Sequence, residues 1–225
     1  MRKIILFLAI LTAVSCETIQ YDGETRLVVE GKVVDKNQNP VPDVDIEIVA
    51  YSNPNSKAED LISYGNTDAS GNFQLIIPAP KDTNDYLKVI VNQIGNGRQQ
   101  KSYNSILRKD FSNYKLALLP IVLYANSDLS QLVVNSQHNN SNFRVSNVRL
   151  TNGFQSEDVF EFNPVGSDYI DQEYFEYYFK VLKNQMVSIS YKTTDFTNPA
   201  APTVTEHTES FFVNNEPTFT YTIQY

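Results

Sequence analysis

Tryptophan is absent from the 225 residues, and the chain has one cysteine, two methionines, two histidines and eight glycines. The scarcity of cysteine, histidine and glycine removes several classes of chemistry, and the absence of tryptophan weakens a carbohydrate-binding reading without removing it. One cysteine cannot build a disulfide scaffold within a chain. His138 and His207 stand 69 residues apart and belong to no His-Glu-x-x-His or His-x-x-Glu pairing, so a zinc hydrolase centre lacks its ligands. No Gly-x-Ser-x-Gly elbow occurs for a serine hydrolase. Gly95 and Gly97 form a lone pair of glycines with no Walker lysine to cradle a phosphate. Neither an enzyme nor a cofactor is expected. Positive charge is also scarce: 18 Lys and Arg face 26 Asp and Glu, a formal net charge of −8. So acidic a chain has no electrostatic reason to bind nucleic acid.

Long apolar runs are missing apart from one. Arg2 and Lys3 precede Ile4 to Val14, where Thr12 is the only polar side chain, the pattern of a secretory signal peptide. The run is about half the ~20 residues a bilayer-spanning helix needs, so no transmembrane anchor is expected. Ala13-Val14-Ser15-Cys16 then resembles the lipobox of bacterial lipoproteins, with Ala where Leu is commonest. That resemblance implies cleavage between Ser15 and Cys16, a lipid on the Cys16 sulfur and a further acyl chain, such as palmitate, on its amine. Each buried methylene contributes roughly 0.8 kcal/mol, and two or more chains anchor stably where one does not. The bland alternative is an ordinary secretory signal followed by a buried, inert cysteine. On the lipoprotein reading the mature chain keeps no thiol for catalysis, and loss of Arg2 and Lys3 takes its net charge to −10. Glu17, Asp22 and Glu24 resemble outer-membrane sorting and surface-export signals of diderm bacteria. The expected location is the outer membrane, with the cell surface favoured over the periplasmic face.

Helix periodicity is almost absent after this. Alternating apolar residues, β-branched and aromatic types and recurrent turn clusters predict an all-β chain. Its length fits two consecutive antiparallel β-sandwich domains of ~100 residues each. The expected organisation is a signal peptide over 1–15, a lipidated N-terminus and tether over 16–25, one sandwich over 26–125 and a second over 126–225. In the first, Arg26 to Asp35 reads as a strand with Gly31 at a bulge or close approach. Val44, Ile46 and Ile48 share one face of the next strand, opposite Asp45, Glu47 and Val49. Asp68 to Gly71 form a turn before Phe73, Leu75 and Ile77, and Leu87, Val89 and Val91 line another strand. "YNSILRKDF" reads as a short helical turn and "YKLALLPIVLY" as a closing strand. "GKVVDKNQNPVPDVDIEI" followed by "TDASGNFQLIIP" resembles the carboxypeptidase regulatory-like domain. Gly31, Val33, Pro40, Val44, Ile46, Thr67, Asp68, Gly71 and Phe73 fill the places of its pattern. The resemblance implies a transthyretin-like sandwich acting as a spacer or interaction module. The Gly-Tyr usual after the later strand is replaced here by "NQIGNGRQQ".

The second half carries no nameable motif and reads as an Ig-like or prealbumin-like sandwich. Phe143, Val145, Val148 and Leu150 point inward across a bulge, and "EDVFEFNPVG" gives a short strand ended by Pro164. "QEYFEYYFKVLKNQMVSISYKT" reads as a hairpin turning at Lys183 to Gln185, and the alternation of Phe219, Tyr221, Ile223 and Tyr225 predicts a last strand built into a sheet. Asp43, Asp45 and Glu47 look like a calcium cluster, but alternating acids on a strand diverge by ~7 Å per pair, so a solvated face is expected instead. Asp68 is expected to form its turn. Tyr174 and Tyr178 would face away from the core and offer an interaction surface, since each joins a rigid apolar ring to a polar tip. Cross-strand pairing on the solvent face is the bland account.

The functional expectation is an accessory subunit without catalytic activity, held to the outer membrane by its lipid and docked on an outer-membrane β-barrel or a companion lipoprotein of a transport, secretion or barrel-assembly complex. A surface glycan- or nutrient-binding lipoprotein is the alternative and would show an exposed aromatic strip near amides and carboxylates. A fimbrial or adhesive subunit would show a last strand free for exchange.

Overall fold

The computed structural model describes residues 19–52, 59–137, 139, 141–153, 158–163 and 176–225. Fifteen strands lie among them. The first half contributes β1 (Tyr21–Val34), β2 (Asp45–Tyr51), β3 (Asp60–Asn66), β4 (Asn72–Pro80), β5 (Tyr86–Val91), β6 (Lys101–Ile106), β7 (Lys115–Ala117) and β8 (Ile121–Val122). The second contributes β9 (Leu129–Gln137), β10 (Phe143–Asn152), β11 (Val159–Glu161), β12 (Glu176–Leu182), β13 (Gln185–Asp195), β14 (Thr203–Val213) and β15 (Thr218–Gln224). Two 3₁₀ turns, Arg108–Asp110 and Asn126–Asp128, are the helical structure among the described residues. The chain is all-β.

One core lies between a sheet ordered β4-β1-β7, with β8 also on β1, and a sheet ordered β11-β6-β5-β2-β3. Leu27, Val29, Phe73 and Ile77 from the first sheet meet Ile46, Ile48, Leu87 and Val89 from the second. Full burial of each such side chain is worth about 1.5–3 kcal/mol. A second core lies between sheets β12-β9-β15 and β10-β13-β14, where Leu132, Val134, Val181 and Ile223 face Val187, Ile189 and Tyr191.

Local chemistry explains the turns. Gly31 admits the Phe73 ring, because a Cβ there would stand 2.8 Å from two of its carbons. Gly71 has φ +76°, and Asp68 Oδ1 accepts the backbone N–H of Ser70 and of Asn72, each at 2.8 Å. Asp68 is thus the turn former its sequence suggested, although β3 and β4 flanking the turn join opposite sheets. Val145 and Val148 are both buried across an irregularity between Ser146 and Arg149, where Asn147 takes φ +53°.

Several expectations need correction. The polar stretch read as a tether is strand from Tyr21 onward: Tyr21 and Asp22 pair with Pro80 and Ala79, and Ile19 packs on the first core. Ile19 and Tyr21 are the two described side chains of this stretch that pack on the first core. The "YNSILRKDF" segment begins inside β6, and the short helical turn expected of it forms only over Arg108–Asp110. "YKLALLPIVLY" makes two short strands, β7 and β8, both parallel to β1, broken where Pro120 can donate no ladder bond. The hairpin at Lys183 to Gln185 is an arch. β12 pairs with β9, while β13 is flanked on both sides by β10 and β14. Val181 and Val187 therefore lie in opposite sheets of one core. Alternation specified the inward face of each arm but not its neighbour. β9, with Leu132 and Val134 fully buried, was not singled out in the sequence at all.

Candidate functional site

Ser15, Cys16, Tyr174 and His138 lie outside the described residues. Tyr178 stands on β12, 57% exposed, with its hydroxyl donating to Glu176. That contact pushes the phenol up, followed by desolvation. Directly across the strands, Tyr178 faces Val133 of β9, which in turn faces Thr220 of β15. Tyr178, Phe179 and Lys180 line a groove of about 740 Å³ together with Gln131, Asp158 and Val159. A smaller groove of about 440 Å³ shares Asp158, Val159 and Lys180 and continues along Glu59, Lys88, Gln93 and Gln100. The two meet at an ion pair between Lys180 Nζ and Asp158 Oδ2. The pair is partly exposed, so salt screens it and its net worth is about 0–1 kcal/mol.

This cleft sits at the junction of the two halves, and β11 makes the junction. The strand expected in "EDVFEFNPVG" forms over Val159–Glu161, but it runs parallel to β6 and extends the sheet of the first half. Ser102 N–H donates to the Asp158 carbonyl at 2.7 Å, and Phe162 N–H donates to the Asn104 carbonyl at 3.1 Å. Side chains reinforce the ladder. Glu161 accepts from Asn104 Nδ2 at 2.9 Å and from Ser105 Oγ at 2.6 Å, while Asn163 Nδ2 donates to the Ser105 carbonyl and to Asp110 Oδ2, both at 2.8 Å. Gln99 Nε2 donates to Asp158 Oδ1 at 3.1 Å. Ser105 takes φ +56°, a left-handed conformation uncommon outside glycine, and the Tyr51 hydroxyl accepts its N–H at 2.9 Å. Phe160 and Phe162 both meet Tyr103, at 5.8 and 6.5 Å between ring centroids. Burial pushes the Tyr103 phenol up to about 12.

Glu161, Asp158, Ser105 and Lys180 were not flagged by sequence reasoning. The one available signal was a short strand bounded by Pro164 with no hairpin neighbour beside it. Its partner lies more than fifty residues away, where no local pattern points.

The remaining candidates are occupied by structure. Asp45 departs from the expected solvated face: its Oδ2 accepts the N–H of Gln93 at 2.6 Å and of Ile94 at 3.4 Å, closing the loop after β5. His207 stacks on Tyr191 with centroids 4.9 Å apart, and its Nε2 lies 2.7 Å from Thr193 Oγ1. Among the described residues, no three of His, Cys, Asp and Glu gather as a metal-binding group.

No protein-family model matches the chain. No curated protein matches it either. Solved structures resemble it in part. The Bacillus anthracis TIE protein is 12% identical, with a TM-score of 0.32 over 89% of this chain and 34% of its own length. The 3-chlorocatechol 1,2-dioxygenase of Rhodococcus opacus 1CP is 16% identical, with a TM-score of 0.30 over 48% of this chain and 62% of that one. The shaft pilin spaA of Lactobacillus rhamnosus GG is 11% identical, with a TM-score of 0.35 over 89% and 98%. The chain thus spans about a third of the length of the first and under two thirds of the second. Its own residues carry the functional reading.

Proposed function

We propose that this chain is a surface lipoprotein without catalytic activity, anchored in the outer membrane of a diderm bacterium through lipid on Cys16, whose first half is a carboxypeptidase regulatory-like sandwich. Its role is that of an accessory subunit docking a β-barrel or a companion lipoprotein. The observation that carries this reading is the β11 stitch. By lending a strand to the other half's sheet, it holds both sandwiches in register and fixes the Tyr178 cleft between them. A pre-set cleft with one exposed ring, amides and a screened ion pair suits recognition of a protein surface. The glycan alternative asked for an aromatic strip. Among the described residues, Tyr178 is the large exposed ring of this groove, with Gln131 and Asn126 as neighbouring amides. A fimbrial or adhesive subunit is the other alternative, and strand exchange through the C-terminus would require β15 to leave its seven-residue ladder with β9.

The test is capture of the tagged, lipidated protein from native outer membranes in mild detergent, with mass spectrometry of what co-purifies. A stoichiometric barrel or companion lipoprotein, lost with Cys16→Ala and weakened by Tyr178→Ala, is the expected result. A lone monodisperse lipoprotein would overturn the reading.

A further inference from the structure

Sheets are vulnerable at their edges, and natural proteins guard exposed edges with charge, proline, bulges or shortness. Most described edge strands here carry such a guard. β3 has Asp60 and a register shift against β2, β4 has Pro78 and Pro80, β7 has Lys115, and β8 is two residues long. β10 has a bulge with Arg144 and Arg149, β11 is three residues with Glu161, β12 has Glu176 and Lys180, and β14 has Glu206 and Glu209. β15 is the exception. Thr218–Gln224 has no charge and no internal proline, and it pairs with β9 in unbroken register over its whole length. No described strand pairs with its other side.

The inner face beside that edge is also incompletely covered. Phe219 and Tyr221 are half-buried, and both stack on Phe211 of β14, at centroid separations of 5.7 and 4.0 Å. Glu209, the carboxylate beneath this strand, accepts the hydroxyls of Tyr191 and Tyr221. The outer face presents Thr218, Thr220, Thr222 and Gln224, all exposed.

We propose that β15 is a self-association edge, and that a second copy of this chain adds antiparallel to it about a two-fold axis at Tyr221. Such an interface is isologous, so the strand must complement itself. The sequence "TFTYTIQ" does so in this register. Tyr221 meets Tyr221, Phe219 meets Ile223 on the inner face, and Thr220 meets Thr222 on the outer face. Aromatic, aromatic–aliphatic and threonine pairs are favourable cross-strand combinations, and no like charges oppose each other. Were β14 the pairing edge, two acidic strands would meet; a neutral strand is the one a chain of net charge −8 can present to its own copy. The result is a continuous six-stranded sheet, with no strand exchanged and β15 still on β9.

The register makes the test specific. The full chain carrying Cys16→Ser loses the lipid and its native thiol, and Thr220→Cys and Thr222→Cys are introduced separately in that background. A disulfide needs Cα atoms within about 7 Å. Opposed positions satisfy this, while two copies of the same position sit diagonally and do not. Mixing the two variants under mild oxidation should give a cross-linked dimer at least tenfold above either variant alone. The parent should be dimeric by light scattering at about 100 µM, and Thr220→Lys with Thr222→Lys should render it monomeric with its circular dichroism unchanged. A monomeric parent, or equal cross-linking in single and mixed samples, would overturn the proposal. Should the lysine pair fail to fold, the cross-linking comparison decides alone.

Discussion

The two halves close similar aliphatic cores to different degrees. Each core is aliphatic apart from one ring among its described buried members, Phe73 in the first and Tyr191 in the second. Among the described residues the second has fewer buried members and leans more on half-buried rings at its rim, Tyr177, Phe179, Phe211, Phe219, Tyr221 and Tyr225, where the first mixes Tyr21, Tyr103, Phe111 and Phe162 with Ile19, Ile62 and Leu75. A ring buries much apolar area even at a rim and can leave a hydroxyl in water, so it seals a small sandwich whose sheets have three described strands each. Aliphatic side chains contribute in proportion to the area enclosed, and the first half encloses more of them under larger sheets. The second half is therefore the more open, both at the β14–β15 seam and along the Tyr178 cleft.

Truncation inside the cores should separate them most. Ile48 is fully enclosed, so Ile48→Ala should cost about 2–5 kcal/mol. Phe211→Ala, at a half-exposed rim, should cost well under half of that, read as a shift in the chemical denaturation midpoint at constant slope. Equal losses would erase the contrast.

Next comes the stitch between the halves. Glu161→Ala removes two accepted hydrogen bonds, from Asn104 and Ser105, worth about 1–3 kcal/mol together. Amide exchange should quicken in β6 while β1 keeps its protection. If β6 were unchanged, the halves would be held together by something other than β11.

Acid should weaken the first half more than the second, where Asp195, bonded by Thr197, is the one carboxyl held down among the described residues. Hydrogen bonds from the Thr25 hydroxyl and the backbone of Glu24 and Thr25 hold Asp22 at about 2, below the ordinary 3.8. A depressed carboxyl stabilises above its unfolded value, and that contribution is lost as pH falls from about 4 toward 2. Asp35 and Asp68 are lowered in the same way by turn hydrogen bonds. Asp22→Asn should flatten the acid limb of a stability–pH profile; an unchanged limb would refute the assignment. Alkali works in the opposite sense. Burial and then Glu209 push Tyr221 up to about 12, so its contribution is intact below pH 10 and lost as pH climbs toward 12.

Smallest of all should be Tyr178→Ala, which is expected to change stability by no more than about 0.5 kcal/mol because the ring is exposed. Its effect belongs in partner capture. A large loss of stability would make Tyr178 a packing residue of the second half and remove the main candidate of the cleft.

Much of this was legible in the sequence. The inward faces of β2, β4, β5, β10 and β15 follow from side-chain alternation, since a strand shows its two faces in strict period two. Gly31, Gly71 and Asp68 announce a close approach and a turn because their geometry is local. Alternation is silent about neighbours. It could not tell that β12 and β13 part into opposite sheets, that β15 lies parallel to β9, or that Val159–Glu161 joins β6. Each depends on hydrogen-bonding edges brought together from distant parts of the chain, and backbone edges look alike in every sequence. The amino acids by themselves determined which residues turn inward and where the chain bends. Which edges meet, and so where the cleft and the open strand lie, was decided only when the two cores closed.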